Sequence, residues 1–233
     1  MTNKIMTIAI VTMFVGIGFF GMIMKPAQAK NLSDVTFDLD TDYMPTVLVK
    51  ASHNLKQYDI FMNALRAESN VIVKSGRVCD YSPYDGVILT KGAYPLEEIV
   101  LIENYVDDGG TVFIVGDNQR GLRQLLEYDN YWLGVGFNTE KLKTTENVVL
   151  IDQPLTSGVV DFNAGEGAPI TVFGPTNDKT VLVDSVISDS TTTLLTMTAY
   201  GDGVAIVSAG DIIADSVATS NEALISNIIT TIC

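Results

Sequence analysis

From Thr46 onward the chain alternates short, β-branched apolar runs with amphipathic stretches of helical period, and this alternation limits its fold more than any other feature. Residues 46–50 (TVLVK), 70–74 (NVIVK), 85–90 (DGVILT) and 111–115 (TVFIV) are too short for stable helices and read as buried strands. Between them, Tyr58, Phe61, Met62 and Leu65 share one helical face, Ile99, Ile102 and Val106 a second, and Leu122, Leu125 and Leu126 a third. Asn54 and Gln57 have the spacing of a capping box at the first helix. Pro95 opens the second, where Glu97 and Glu98 suit the positive end of the dipole, and Gly109-Gly110 stops it. Such alternation predicts a doubly wound, mostly parallel α/β sheet with helices on both faces.

The second half reads differently. Over residues 134–186 no long helical period occurs, and β-like runs at 148–151, 170–173 and 181–186 are separated by Gly, Pro, Asn and Asp. These predict extra strands added to the sheet. Gly134-Val135-Gly136 is followed by no helix start and is not a dinucleotide loop. Residues 193–198, a turn at Gly201-Asp202-Gly203 and a buried strand over 204–208 come next. A last helix over 221–232 carries Leu224, Ile225, Ile228, Ile229 and Ile232 on one side. Residues 46–233 are thus expected to form one α/β domain, long enough for a single core.

Upstream, Lys4, the apolar run 5–24 and the small-x-small site Ala27-Gln28-Ala29 have the layout of an export signal over residues 1–29. The same run is long enough to serve as an uncleaved membrane anchor, although Pro26 interrupts it just before the cleavage site. Either way the rest of the chain is expected outside the cytoplasmic membrane, secreted or associated with the cell envelope. Residues 30–45 form a polar lead-in. Its Asp38, Asp40 and Asp42 begin like a calcium loop, but Tyr43 and Val49 stand where that loop needs Gly and Glu.

The chain has 14 Lys+Arg against 28 Asp+Glu, a net charge of −14. That balance argues against nucleic acid and against an anionic lipid surface as partners. In an oxidising compartment Cys79 and Cys233 are candidates for a disulfide, worth about 4–5 kcal/mol for so long a loop; the alternative is two separate thiols. One histidine and two distant cysteines are poor material for zinc, and no metal or other cofactor is implied.

Open α/β sheets bind ligands beyond the carboxyl ends of their strands. The segments falling there hold His53 and Asn54, Lys91, Asp117 with Asn118 and Arg120, and Asp211, which are the candidate ligand-binding residues. Asp117 occupies the strand–turn–helix elbow where an acyl-transfer enzyme would present Ser or Cys, and no Gly-x-Ser-x-Gly motif occurs. Capping or loop packing would equally account for Asp117 and His53.

The order of these segments resembles the class I glutamine amidotransferase-like superfamily, and within it the non-catalytic, extracytoplasmic DUF4350-type domains. The resemblance rests on Ala51-Ser52-His53-Asn54, Tyr84-Asp85, Tyr105-Val106, Gly109-Gly110 and Gly116-Asp117. It continues through residues 152–159 (DQPLTSGV), Gly201-Asp202-Gly203-Val204 and Gly210-Asp211. It implies a flavodoxin-like sandwich over residues 46–232. The amidotransferase triad of Cys, His and Glu is absent, since Asp117 holds the elbow and Gly210-Asp211 the late position. The function expected is therefore an exported, non-catalytic domain that binds a small ligand, a glycan or an envelope protein. The alternative is a hydrolase acting on a carbohydrate or ester through Asp117 and His53, which requires those side chains within hydrogen-bond reach. A purely structural, anchored scaffold is a third reading.

Overall fold

The four leading apolar runs form strands where their composition indicates: β1 (Thr46–Lys50), β2 (Asn70–Lys74), β3 (Gly86–Leu89) and β4 (Thr111–Ile114). The structure is a computed structural model that describes residues 43–51, 55–116, 120–142, 148–173, 179–187 and 190–233. The expected signal segment, residues 30–42 of the lead-in with Asp38, Asp40 and Asp42, and His53, Asn54, Asp117 and Asn118 lie outside the described residues.

The helices are α1 (Asp59–Glu68), entered through a 3₁₀ turn at Leu55–Tyr58, α2 (Leu96–Asp107) and α3 (Arg120–Glu127). A short α4 (Asp215–Ala218) and the final α5 (Glu222–Ile232) complete the set. Each predicted stripe is buried: Phe61, Met62 and Leu65 on α1, Ile99, Ile102 and Val106 on α2, Leu122, Leu125 and Leu126 on α3. The appended strands are β5 (Val135–Phe137), β6 (Val148–Leu150), β7 (Ile170–Val172), β8 (Lys179–Ile187) and β9 (Ser190–Tyr200). A turn with Gly201 at φ +56° leads from β9 into β10 (Gly203–Ser208).

Among the described residues the sheet has ten strands in the order β2-β1-β3-β4-β10-β9-β7-β5, with β8 also paired to β9 and β6 to β8. The first five in that order are parallel; β10 then turns back antiparallel onto β9, and all later pairings are antiparallel. With β10 as fifth strand, the parallel half has the flavodoxin-like order and its switch point between β1 and β3. Side chains alternate across a strand. Gly86, the register partner of Val47, faces Ile232 of α5, whereas Lys50, three residues on, reaches Glu98 of α2. Helices therefore cover both faces. Residues 43–233 form one compact unit.

Two local expectations are corrected. β2 is an edge strand, paired among the described residues only with β1, and four of its five residues are exposed. α1 begins later than expected, with Tyr58 as its N-cap and no side-chain cap; Asn54, the other half of the expected capping box, lies outside the described residues, and the Gln57 amide donates to Asp211 at 3.4 Å. Helical spacing alone does not reveal that a carboxylate from the far end of the chain will be within reach.

Candidate functional site

The carboxyl ends of the parallel strands are tied together by backbone and hydroxyl groups. Thr90 donates through both its N–H and its hydroxyl to Lys50 O, each at 3.0 Å, joining the ends of β1 and β3. The buried Ser208 hydroxyl accepts from Gly116 N–H at 3.0 Å and donates to Gly210 O at 2.8 Å, joining β4 to β10. A Cβ on Gly116 would lie 1.8 Å from Ser208 O, so only glycine permits this approach.

Beyond these ends opens a cleft of about 230 Å³ whose walls include Gln57, Lys91, Glu166, Asp211 and Asp215. It gathers the loops after β1, β3 and β10. Asp211 is its deepest polar group, at 7 % exposure. Asp211 Oδ2 accepts from the Tyr58 hydroxyl at 2.9 Å and from Gln57, while Oδ1 is buried with no hydrogen-bond partner. Burial pushes the Asp211 carboxyl above the usual 3.8 and Glu166 adds to this, while the Tyr58 hydrogen bond and Lys91 oppose it. The Tyr58 hydroxyl is itself raised by burial and by the neighbouring Asp211 charge.

Glu166 is held at the rim by backbone pairing between two glycine-rich segments. Asp211 N–H donates to Glu166 O, Ala168 N–H to Ala209 O, and Gly167 bridges Gly210. A Cβ on Gly210 would lie 2.0 Å from Ala164 O. The buried Asn221 locks the same region, accepting from Asn163 N–H and donating to Asn163 O and Ile212 O. Asp215 accepts from Ile60 N–H at 2.9 Å, which fixes α1 against the cleft wall.

Beneath the carboxyl end of β1 lies a second polar cluster that does not line the cleft. Lys50 and Glu98, 3 % and 0 % exposed, form an ion pair in the interior. Glu98 Oε1 also accepts from Val78 N–H at 3.0 Å and the Tyr81 hydroxyl at 2.8 Å, and Lys50 Nζ lies 4.7 Å from the Tyr94 ring centre. Glu98 thus anchors the loop after β2 to the start of α2. Its role goes beyond the dipole complement expected of it; of the two glutamates, Glu97 is the exposed one.

Of the candidate ligand-binding residues, the structure brings Lys91 and Asp211 to one cleft, and Arg120 heads α3 in an exposed position. Gln57, Tyr58 and Glu166 join the site although no motif points to them. Tyr58 reads in sequence only as part of an apolar stripe, and Glu166 sits in a segment with no periodic signal. Of the two readings open for Cys79 and Cys233, the structure has the separate thiols: both are free and exposed. Cys79 adjoins Val78, which is held by Glu98 in the first turn of α2 near the carboxyl end of the sheet. Cys233 ends α5 against Ser69, at the amino end. Bridging needs Cα atoms within about 7 Å.

Among the described residues, larger hollows lie elsewhere, one of about 490 Å³ against Tyr81, Tyr84 and Tyr105, another of about 530 Å³ between α1 and α5. Neither stands at the carboxyl ends of the strands. Among the described residues, no group of three His, Cys, Asp or Glu is placed to hold a metal ion, and no helix is long and apolar enough to cross a membrane.

No protein-family model matches the chain, and no curated protein matches it in sequence. Solved structures do. The cytoplasmic protein STM1381 of Salmonella typhimurium LT2 superposes with a TM-score of 0.57 at 15% identity, over 81% of this chain and 99% of that one. A protein of Thermoplasma acidophilum named for GMP synthase gives 0.56 at 11% identity, over 82% of this chain and 94% of its own. A ThuA-like protein of Bacteroides uniformis gives 0.53 at 12% identity, over 84% and 95%. The likeness is one of fold, that shared by class I glutamine amidotransferase-like and ThuA-like proteins.

Proposed function

We propose that this chain is an exported, non-catalytic amidotransferase-like domain of the DUF4350 type that binds a ligand or an envelope partner through the cleft at Asp211. The observation that carries the reading is the buried Asp211 carboxylate, whose Oδ1 has no partner at the wall of a cleft beyond the strand ends. An unpaired buried acceptor is costly, and a ligand that satisfies it recovers that cost on binding. The amidotransferase nucleophile is replaced in sequence by Asp117, and neither cysteine is among the described residues that line the cleft. Export rests on the N-terminal pattern alone.

A thermal-shift panel of monosaccharides, cell-wall fragments, short peptides and nucleotides tests the cleft. A ligand at about 100 times its Kd stabilises by about 2.7 kcal/mol. A hit that disappears in Asp211→Ala supports the reading. Hits that all survive that substitution refute the cleft as the site.

A further inference from the structure

The cleft is small, acidic and short of donors where one is needed. Its volume of about 230 Å³ lies below the ~300 Å³ at which drug-sized pockets begin, and suits a molecule of monosaccharide or amino-acid size. Among the described residues, its lining carries three carboxylates, Glu166, Asp211 and Asp215, against one cation, Lys91. Acidity by itself would describe any solvated rim of this chain, but Asp211 differs. It is more than nine-tenths buried, Tyr58 and Gln57 engage only its Oδ2, and Oδ1 has no partner. A metal ion is a poor match for that oxygen, since the three carboxylates do not converge in a metal-binding group and Asp215 already accepts from Ile60 N–H. An N–H donor bearing positive charge meets both the local charge and the missing bond, and charge-assisted hydrogen bonds are the strong ones.

We propose that this cleft takes the ammonium group of a small primary amine, with Asp211 Oδ1 as the acceptor and Glu166 at the rim as a second, solvated carboxylate. The inference rests on the reading of the cleft as a binding site and adds the chemical class of its ligand.

The test uses the purified full-length chain and two sets of size-matched probes, followed by titration calorimetry. The sets are glucosamine, glucose and glucuronate, and n-butylamine, n-butanol and butyrate. The expected result is that within at least one set the cation binds more tightly than its neutral and anionic partners. Asp211→Asn then weakens it by about ten- to a hundredfold, the worth of one hydrogen bond to a charged group. Glu166→Gln, an exposed change that leaves the interior intact, weakens it by about two- to fivefold. The proposal is overturned if the cation shows no preference in either set, including the case where nothing binds, or if Asp211→Asn leaves its affinity unchanged. A neutral or anionic probe that binds best and is lost in Asp211→Asn overturns the amine assignment while leaving the cleft a binding site. Only the wider panel, with every hit insensitive to Asp211→Ala, removes the cleft itself.

Discussion

Removing the Glu98 carboxylate should be among the most damaging single changes in this protein. Its Oε1 receives the Lys50 ammonium, the Val78 N–H and the Tyr81 hydroxyl, all out of contact with water. Glu98→Ala leaves a buried ammonium whose remaining described neighbour is the face of Tyr94, and strips the acceptor from two further donors. Breaking a buried ion pair from one side costs about 3–5 kcal/mol, and each orphaned neutral donor adds up to a further ~1–3 kcal/mol unless water enters. For a domain of this size, about 3–5 kcal/mol corresponds to a fall in Tm of about 6–20 °C. Lys50→Met should be milder, because Glu98 then keeps two of its three donors. The double change Lys50→Met with Glu98→Leu should also be milder than Glu98→Ala, since no charge is left unpaired. Urea and thermal unfolding of the three variants, followed by circular dichroism, decide the matter. A loss below about 1 kcal/mol for Glu98→Ala, or a Lys50→Met as damaging as it, would refute this account of the cluster.

Other outcomes follow from the cleft and its surroundings. Because burial raises the Asp211 carboxyl above 3.8, folding favours its protonated form; this contribution is present below 3.8 and is lost as pH rises through the raised value, with Tyr58, Lys91 and Glu166 setting where. Asp211→Asn should therefore gain stability relative to the parent as pH goes from about 3 to about 7, and equal urea midpoint shifts at both would contradict this. Gly210→Ala should cost about 1–3 kcal/mol and displace the segment bearing Glu166, since the new methyl would meet Ala164 O; an unchanged midpoint would show that the segment adjusts freely. Asn221→Ala, which leaves Asn163 N–H, Asn163 O and Ile212 O without their partner, should cost at least about 1–3 kcal/mol in the same assay. Both cysteines should react with a thiol reagent in the native protein, Cys233 the more slowly for a thiol pushed up by burial; an intact mass showing the loss of two hydrogens would contradict the open thiols.

The parallel half of the fold is legible because its elements are dictated locally. A β-branched run such as 46–50 cannot make a stable helix, and a stripe such as Leu224, Ile225, Ile228 and Ile229 has only one way to be buried. The appended strands are legible in kind but not in partner. β7 and β9 share one short antiparallel contact, and β8 joins β9 through an irregular register, pairings that nothing in the runs themselves specifies. β5 escapes a reading of the residues because Gly134, Gly136 and a three-residue length give almost no periodic signal.

The candidate site divides along the same line. Strand alternation is enough to place Lys91 and Asp211 at the carboxyl ends, because the end of a parallel strand is where its loop must emerge. Which groups Asp211 meets was decided only by tertiary structure. Tyr58 and Gln57 lie more than 150 positions earlier, and their contact depends on how α1, α4 and the glycine-lined approach of residues 164–167 to 209–211 pack. The sequence by itself determined the layers and the order of the elements, since period and turn chemistry act over a few residues. It could not determine that one carboxylate oxygen would be buried unpartnered, or that the two cysteines would remain separate thiols. Those are distances between segments remote in the chain, set when one core closes over all of them at once.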